Sequence, residues 1–335
     1  MSGGLKVTVA GAGALGLSCA LALADAGCTV TVCDPAPWGD SASGVAAGML
    51  APVFETLLDS AGGHDFGLLV AARDLWPAFA ARALIAIDRS GAVAVGSESW
   101  MEGVAAGFVR LGLPLSEVPP PAGVAPTFSK GFATAEDWRL EARAALKSLR
   151  VAAAAAGVTF LPDRVEALAG ADRLVVATGA ARGLGALVPE LGLLTPIKGQ
   201  ILRFSGGPDG GPSLRGEGIY AAPSPGGLAV GATMEVGVAD SRVDEAALRP
   251  LIDAAGRFLP ALAAGGWVAS AGVRAATPDG LPMVGFSRDP KIVLAVGARR
   301  NGWLLAPMSA GIVAAVVTGR DPGRYAARFD PTRFA

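Results

Sequence analysis

Two stretches hold residues whose types and spacing could do chemistry. Near the start, Gly11, Gly13 and Gly16 form G-x-G-x-x-G, and Asp34 ends the β-branched run TVTVC. Near the end, GARRNGWLLAP sets Arg299 and Arg300 between the apolar runs KIVLAVG and MSAGIVAAVV. The glycine spacing suits a dinucleotide pyrophosphate: Gly11 permits a tight turn, Gly13 lets backbone approach the phosphates, and Gly16 lets helix and strand pack. Asp34 is then placed for the ribose hydroxyls of the adenosine. The arginines pose a different demand. An unpaired buried cation costs several kcal/mol, so each head must reach water or meet an anion.

The elements that would position these residues read in order. LKVTVAGAGALGLSCALALADAGCTVTVCD is strand, glycine turn, helix, strand. Val7, Val9 and Ala10 form the strand, Ala14 and Leu15 open the helix, and Gly27 is its C-cap. The helix N-terminus favours an anion through its amides and dipole. A signal peptide is the competing reading of this stretch, but it explains neither the glycine spacing nor Asp34. GDSASGVAAGMLAP is a loop of small residues. Residues 64–84 carry a helical pattern with a break or kink at Pro77. AIDRSGAVAVG reads as a hairpin and LPLSEVPPPAGVAP as a proline-rich surface connection. DWRLEARAALKSLRVAAAAAG is a helix ending at Gly157. DRLVVATGA is a buried strand that ends in Thr178 and Gly179. GQILRFSG and GIYAAPSPGGLAVGATME are antiparallel strands, ALRPLIDAAGRFLPAL is helical, and two further strand regions precede a last helix through APMSAGIVAAVVTGR.

The bulk numbers exclude several classes. With 335 residues, 52% hydrophobic, the chain can bury a large core. A net charge of −1 lacks the basic face that nucleic acid requires. Stable membrane insertion is not expected. Three cysteines, Cys19, Cys28 and Cys33, and the single histidine, His64, offer neither a disulfide framework nor a zinc site. Reduced thiols point to the cytoplasm.

The stretches GAGALGL with Asp34, AAGMLAP, VVATGA, PIKGQILR, YAAPSPGGLAVGATME, AGVRAATPDGLPMVG and GARRNGWLLAP span nearly the whole chain. Together they resemble the D-amino-acid oxidase superfamily of FAD enzymes, and within it the glycine oxidases of thiamine biosynthesis. The resemblance implies an α/β fold (α+β overall). A Rossmann-like FAD-binding domain, residues 1–84 with 131–194 and 266–335, carries a mostly antiparallel β substrate domain, 85–130 with 195–265. It implies noncovalent FAD, since AGVRAATPD lacks the cysteine of covalently flavinylated relatives. It also implies oxidative deamination of glycine or another small D-amino or N-methyl amino acid. Hydride would pass from Cα to flavin N5, water would hydrolyse the imine, and oxygen would leave as hydrogen peroxide. Homo-oligomers are compatible with it. A dehydrogenase feeding a quinone or carrier is the alternative, and a catalytically silent FAD- or NAD-binding module a remoter one.

By the same resemblance Gly11, Gly13, Ala14, Leu15, Gly16 and Asp34 hold the ADP half. Ser43, Ala47, Gly48 and Met49 lie along the flavin. The Val165 backbone meets the adenine, and Thr178 and Gly179 close the VVATG strand. Asn301, Gly302, Trp303 and Leu304, at the start of the last helix, offer amides to the flavin pyrimidine edge. Arg274 matches the arginine that takes the substrate carboxylate, a task its two parallel N–H donors suit. Tyr220 matches the tyrosine that joins it, Met234 lines the pocket, and Arg300 stands beside substrate and flavin. Without the resemblance these four are also readable as a surface-strand arginine, a cross-strand aromatic, a core methionine and a solvated charge. Ala298 and Arg299 depart from the family's histidine and aromatic, Ser224 from its arginine, and Ala135–Trp138 from its VDP-type stretch. On an extended segment Arg299 points opposite to Arg300, toward solvent, the entrance or a neighbouring subunit.

Overall fold

The structure is a computed structural model that describes residues 4–37, 39–59, 65–168, 170–207 and 210–335; His64 lies outside them. β1 (Lys6–Ala10), α1 (Ala14–Asp25) and β2 (Thr29–Cys33) form a βαβ unit. Helix α1 has twelve residues, rich in Ala and Leu, with no proline or β-branched side chain to resist it. Next come α2 (Ala42–Val45), β3 (Met49–Leu50), α3 (Pro52–Leu58), α4 (Phe66–Asp74) and α5 (Trp76–Ala83). The break expected at Pro77 falls two residues earlier, at Leu75, because Pro77 sits in the first turn of α5, where its missing N–H costs nothing.

The chain continues through β4 (Ile87–Asp88), β5 (Ala92–Ala94), α6 (Glu98–Arg110), β6 (Ser116–Val118), β7 (Gly131–Thr134), β8 (Trp138–Leu140) and α7 (Ala142–Ala155). Then follow β9 (Thr159–Leu161), β10 (Arg173–Val176), β11 (Thr195–Ser205), β12 (Ser213–Gly216), β13 (Ile219–Ser224), β14 (Gly227–Gly231), β15 (Glu235–Val236) and α8 (Glu245–Phe258). β16 (Trp267–Ala276), β17 (Met283–Phe286), β18 (Ile292–Val296), α9 (Ala306–Thr318) and α10 (Ala326–Phe329) complete the path.

Three sheets result. The first runs β17-β18-β10-β1-β2-β9, parallel except for β17, with α1 packed between it and α7 and α9. The second has nine strands, β6-β7-β5-β12-β13-β14-β11 with β15 and β16 also on β11. The third is short, β3-β8-β4. Buried residues gather accordingly, one cluster around α1 and the first sheet, another between the second sheet and α8.

Several expected elements differ. AIDRSGAVAVG is not a hairpin: β4 pairs with β8, while β5 pairs with β7 and β12 in another sheet. The helix read from Asp137 starts at Ala142, because Trp138–Leu140 pairs as a strand and the Glu141 carboxylate caps the amides of Arg143 and Ala144. The proline-rich connection contains the edge strand β6, and α6 was not foreseen. β7 and β16 belong to the large sheet, although the boundaries read from sequence put 131–194 and 266–335 with the nucleotide domain.

Candidate active site

The three fingerprint glycines meet different surroundings. Gly11 has φ +109°, and a Cβ there would lie 2.4 Å from the Ala177 carbonyl oxygen. A Cβ on Gly16 would lie 2.0 Å from the Gly11 oxygen. Both positions are closed by the protein's own backbone. A Cβ on Gly13 would meet only Ser43 Oγ, at 3.3 Å, so the bare backbone there leaves room for a ligand. Beside it the Asp34 carboxylate accepts from Ala12 N at 2.7 Å and Ala36 N at 2.9 Å. Asp34 lines a cavity of about 680 Å³ with Ala12, Ser41, Lys147 and Arg150. An open glycine at a helix N-terminus, with a carboxylate at the end of β2, fits the diphosphate and ribose of a dinucleotide.

Ser43 links this cradle to a second cavity, of about 410 Å³. Its hydroxyl accepts from Ala14 N at 3.0 Å, and its carbonyl accepts from Trp303 Nε1 at 3.0 Å. Ala47, Gly48, Met49, Asn301, Gly302 and Trp303 all line that cavity. Gly302–Leu304 form the turn before α9 rather than its first residues. Leu304 is buried, its carbonyl accepting from Trp76 Nε1 at 3.2 Å. Leu15, in the first turn of α1, packs against the main core. Val165, Thr178 and Gly179 stand apart from both cavities: Val165 packs beside the first sheet, and the Thr178 hydroxyl donates to Ala181 O at 3.1 Å.

Strand register builds the other wall. Arg215 stands opposite Tyr220, Tyr220 opposite Gly231, and Gly231 opposite Ile201. On the far side of β11, Ile197 stands opposite Arg274. Opposed residues share a sheet face, as do residues two apart, so Arg215, Tyr220, Gly231, Ile201, Gly199 and Arg274 look the same way. All six line the 410 Å³ cavity. Two glycines make this crowding possible. A Cβ on Gly199 would fall 1.6 Å from Arg274 Nη2, and one on Gly231 would fall 2.3 Å from the Tyr220 hydroxyl. A glycine inside a strand was the sequence signal that went unused.

The Arg274 guanidinium donates to Thr233 O at 3.0 Å and to Met234 Sδ at 3.0 Å, and Met234 is otherwise 40% exposed. Burial lowers the Arg274 pKa, yet a guanidinium keeps its charge in a protein. Burial pushes the Tyr220 hydroxyl up, outweighing Arg274, Arg300 and Arg215, so it remains an O–H donor.

Arg299 and Arg300 do not diverge as expected. Arg299 has φ +47°, a left-handed conformation that breaks the alternation of an extended segment. Its amide donates to Ala275 O at 2.8 Å, which docks the segment on the end of β16. Arg299 is ion-paired with Asp59, and Arg300 Nη2 lies 3.1 Å from Glu55 Oε1. Glu55 and Asp59 stand one helical turn apart, on α3 and at its C-cap, so one element receives both arginines. The Glu55 carboxylate holds the Arg300 pKa above its ordinary value.

Two further residues went unnoticed in the sequence. Arg215 is 2% exposed, with Nη1 3.6 Å from Glu55 Oε1 and its guanidinium 5.5 Å from the Phe54 ring. Asp137, also 2% exposed, accepts from Val53 N at 2.8 Å and Phe54 N at 3.3 Å, and burial pushes its carboxyl up to about 6. Nothing local marks Arg215, whose role depends on strand register. Among the described residues, no group of three His, Cys, Asp or Glu could hold a metal ion, and no helix is long and apolar enough to cross a membrane.

Comparison with known proteins bears on the family and the fold. Residues 6–316 match the family described as DAO, FAD dependent oxidoreductase. The chain is 29% identical to the glycine oxidase of Pseudomonas aeruginosa PAO1, over 95% of this chain and 96% of that protein. It is 35% identical to the bifunctional protein MnmC of tRNA 5-methylaminomethyl-2-thiouridine biosynthesis from Maricaulis maris. That match covers 53% of this chain but only 31% of MnmC. The crystal structure of glycine oxidase from Geobacillus kaustophilus superposes with a TM-score of 0.86 at 25% identity, over 98% of this chain and 99% of that one.

Proposed function

Because the chain belongs to the DAO family of FAD-dependent oxidoreductases, we propose that it oxidises the amine of a small amino acid to an imine, which water hydrolyses, with oxygen as acceptor. Glycine, D-amino acids and N-methyl amino acids are the class. The observation that carries this reading is Arg274 and Tyr220 facing one cavity beside Ser43 and Gly302. FAD supplies the two-electron oxidation when bound. Gly13, Asp34, Ser43 and the Gly302–Leu304 backbone would hold it, under a nine-stranded sheet that forms the substrate domain.

The remaining work falls to the chain's own side chains. The Arg274 guanidinium takes the substrate carboxylate and Tyr220 donates to it, which fixes Cα in one orientation. Met234 and Thr233 O hold Arg274 from behind. The one carboxylate lining the cavity among the described residues, Glu55, is engaged by Arg300 and Arg215, so no free base stands there. The amine therefore has to arrive neutral, and orientation rather than proton abstraction is what the protein contributes. Mixing the flavin-loaded protein with glycine, sarcosine and D-alanine without air should bleach the flavin band, and readmitted air should yield peroxide. In Arg274→Ala the substrate constant should rise by orders of magnitude while flavin stays bound; near-normal kinetics there would sink the assignment.

A further inference from the structure

We propose that the substrate carries a second carboxylate, on its side chain or its amine substituent, and that Arg215 receives it. The inference rests on the reading above, in which Arg274 and Tyr220 hold the first carboxylate. Arg215, Arg274, Arg299 and Arg300 line the cavity with one carboxylate, Glu55, and Arg299 adds Asp59 as its own partner. Asp137, at the start of α3 and electrostatically coupled to Arg215, adds a third anion, so the positive charges outnumber the negative by one. A first substrate carboxylate balances that charge, and unmet hydrogen bonds are what call for a second.

Arg215 is where those hydrogen bonds are least met. Nη1 is 3.6 Å from Glu55 Oε1, an ion-pair separation too long for a hydrogen bond. Nε and Nη2 have no hydrogen-bond partner, and the flanking groups are the rings of Phe54 and Tyr220, at 5.5 and 6.0 Å. Buried N–H groups are almost always paired, because leaving one unmet costs about 1–3 kcal/mol. Glu55 does not meet them: its Oε1 also serves Arg300, and its Oε2 has no partner. A carboxylate brings two acceptors in the geometry a guanidinium edge requires.

Register gives the direction. Arg274 on β16 and Arg215 on β12 are separated by β11, β14 and β13, and Tyr220 stands between them on the shared face. A ligand anchored at Arg274 with Tyr220 beside its carboxylate extends along that row toward Arg215. Glycine has no second carboxylate to send along that row, and a diacid has.

The test compares matched pairs on the flavin-loaded enzyme: D-aspartate against D-alanine, iminodiacetate against sarcosine, and unreactive succinate against butyrate. Turnover is read for the amines and flavin difference spectra for all six. A diacid of at least one amine pair should be favoured about ten- to a hundredfold, the worth of a charge-assisted contact, and succinate should outbind butyrate likewise. Success with D-aspartate places the second carboxylate on the side chain, and success with iminodiacetate places it on the amine. The replacement Arg215→Gln, which leaves Glu55 paired with Arg300, should erase the preference. Equal use of monoacids and diacids by the unaltered enzyme overturns the proposal whether or not the variant folds. If no amine bleaches the flavin, the oxidase reading fails, and succinate against butyrate still decides this one.

Discussion

Gly199→Ala separates the position of Arg274 from its presence. The added methyl would fall 1.6 Å from Arg274 Nη2, whereas ordinary contact begins near 3.4 Å, so the guanidinium must retreat by about 1.8 Å. The retreat is cheap for the fold, because the atom met is the end of a flexible side chain. Gly199 lies in β11 with no left-handed φ, so alanine suits the backbone and removes some freedom from the unfolded chain, worth about 0.4–1 kcal/mol. The site suffers instead. Nη2 leaves Thr233 O, and the carboxylate fork moves by more than the roughly 1 Å misplacement that costs about a hundredfold. Thermal midpoint and flavin content should match the unaltered protein, while kcat/KM for the best amino acid falls about a hundredfold. Adding Gly199→Ala to Arg274→Ala should change nothing more, since the two act through one guanidinium. Unchanged kcat/KM in Gly199→Ala would refute the placement of Arg274 at the carboxylate.

Two other expectations follow from buried geometry. Gly13→Ala meets only Ser43 Oγ, so the apoprotein should melt within a few degrees of the original, yet added FAD should no longer raise its midpoint; full flavin retention would contradict the cradle. Asp137 has its carboxyl raised from 3.8 to about 6, so the native state binds the proton more tightly than the unfolded chain. Its contribution to stability is present below pH 3.8 and is lost as pH rises through about 6. Unfolding midpoints of the unaltered protein minus those of Asp137→Asn, followed from pH 4 to 7, should decline across that window, and a flat difference would count against the burial.

How much of this was legible depended on distance along the chain. The fingerprint needs only Gly11 to Asp34, one βαβ unit, so local pattern sufficed. Arg274, Tyr220 and Arg300 were found through longer motifs that the resemblance supplied. The partners of those residues were not legible. Glu55 and Arg300 are 245 positions apart, and their meeting depends on α3 and the Gly297–Gly302 segment arriving from different parts of the fold. Arg215 faces the cavity only because β12 pairs with β13 in one register, and a one-residue slip would turn it away. Arg299 was misread for a simpler reason: alternation assumes extended backbone, and its φ is +47°.

Asp137 shows how the buried charges depend on one another. Its carboxylate is the partner of the Val53 and Phe54 amides, two of the orphan donors at the start of α3, where Pro52 supplies no N–H. A buried carboxylate at a helix N-terminus opposes desolvation with hydrogen bonds and with the helix dipole. That helix then presents Glu55 and, at its end, Asp59 to Arg300 and Arg299. Removing Glu55 alone would strand Arg215 and Arg300 without their shared anion, and removing Asp137 would loosen the turn that carries Glu55. The two adjacent arginines are thus stable in an apolar stretch because a short helix, itself pinned by a buried acid, brings an anion to each. Neither head is spent entirely on that pairing: Arg300 keeps 24% of its side chain exposed at the cavity, against 12% for Arg299. More of Arg300 than of Arg299 is therefore left facing the cavity that both line.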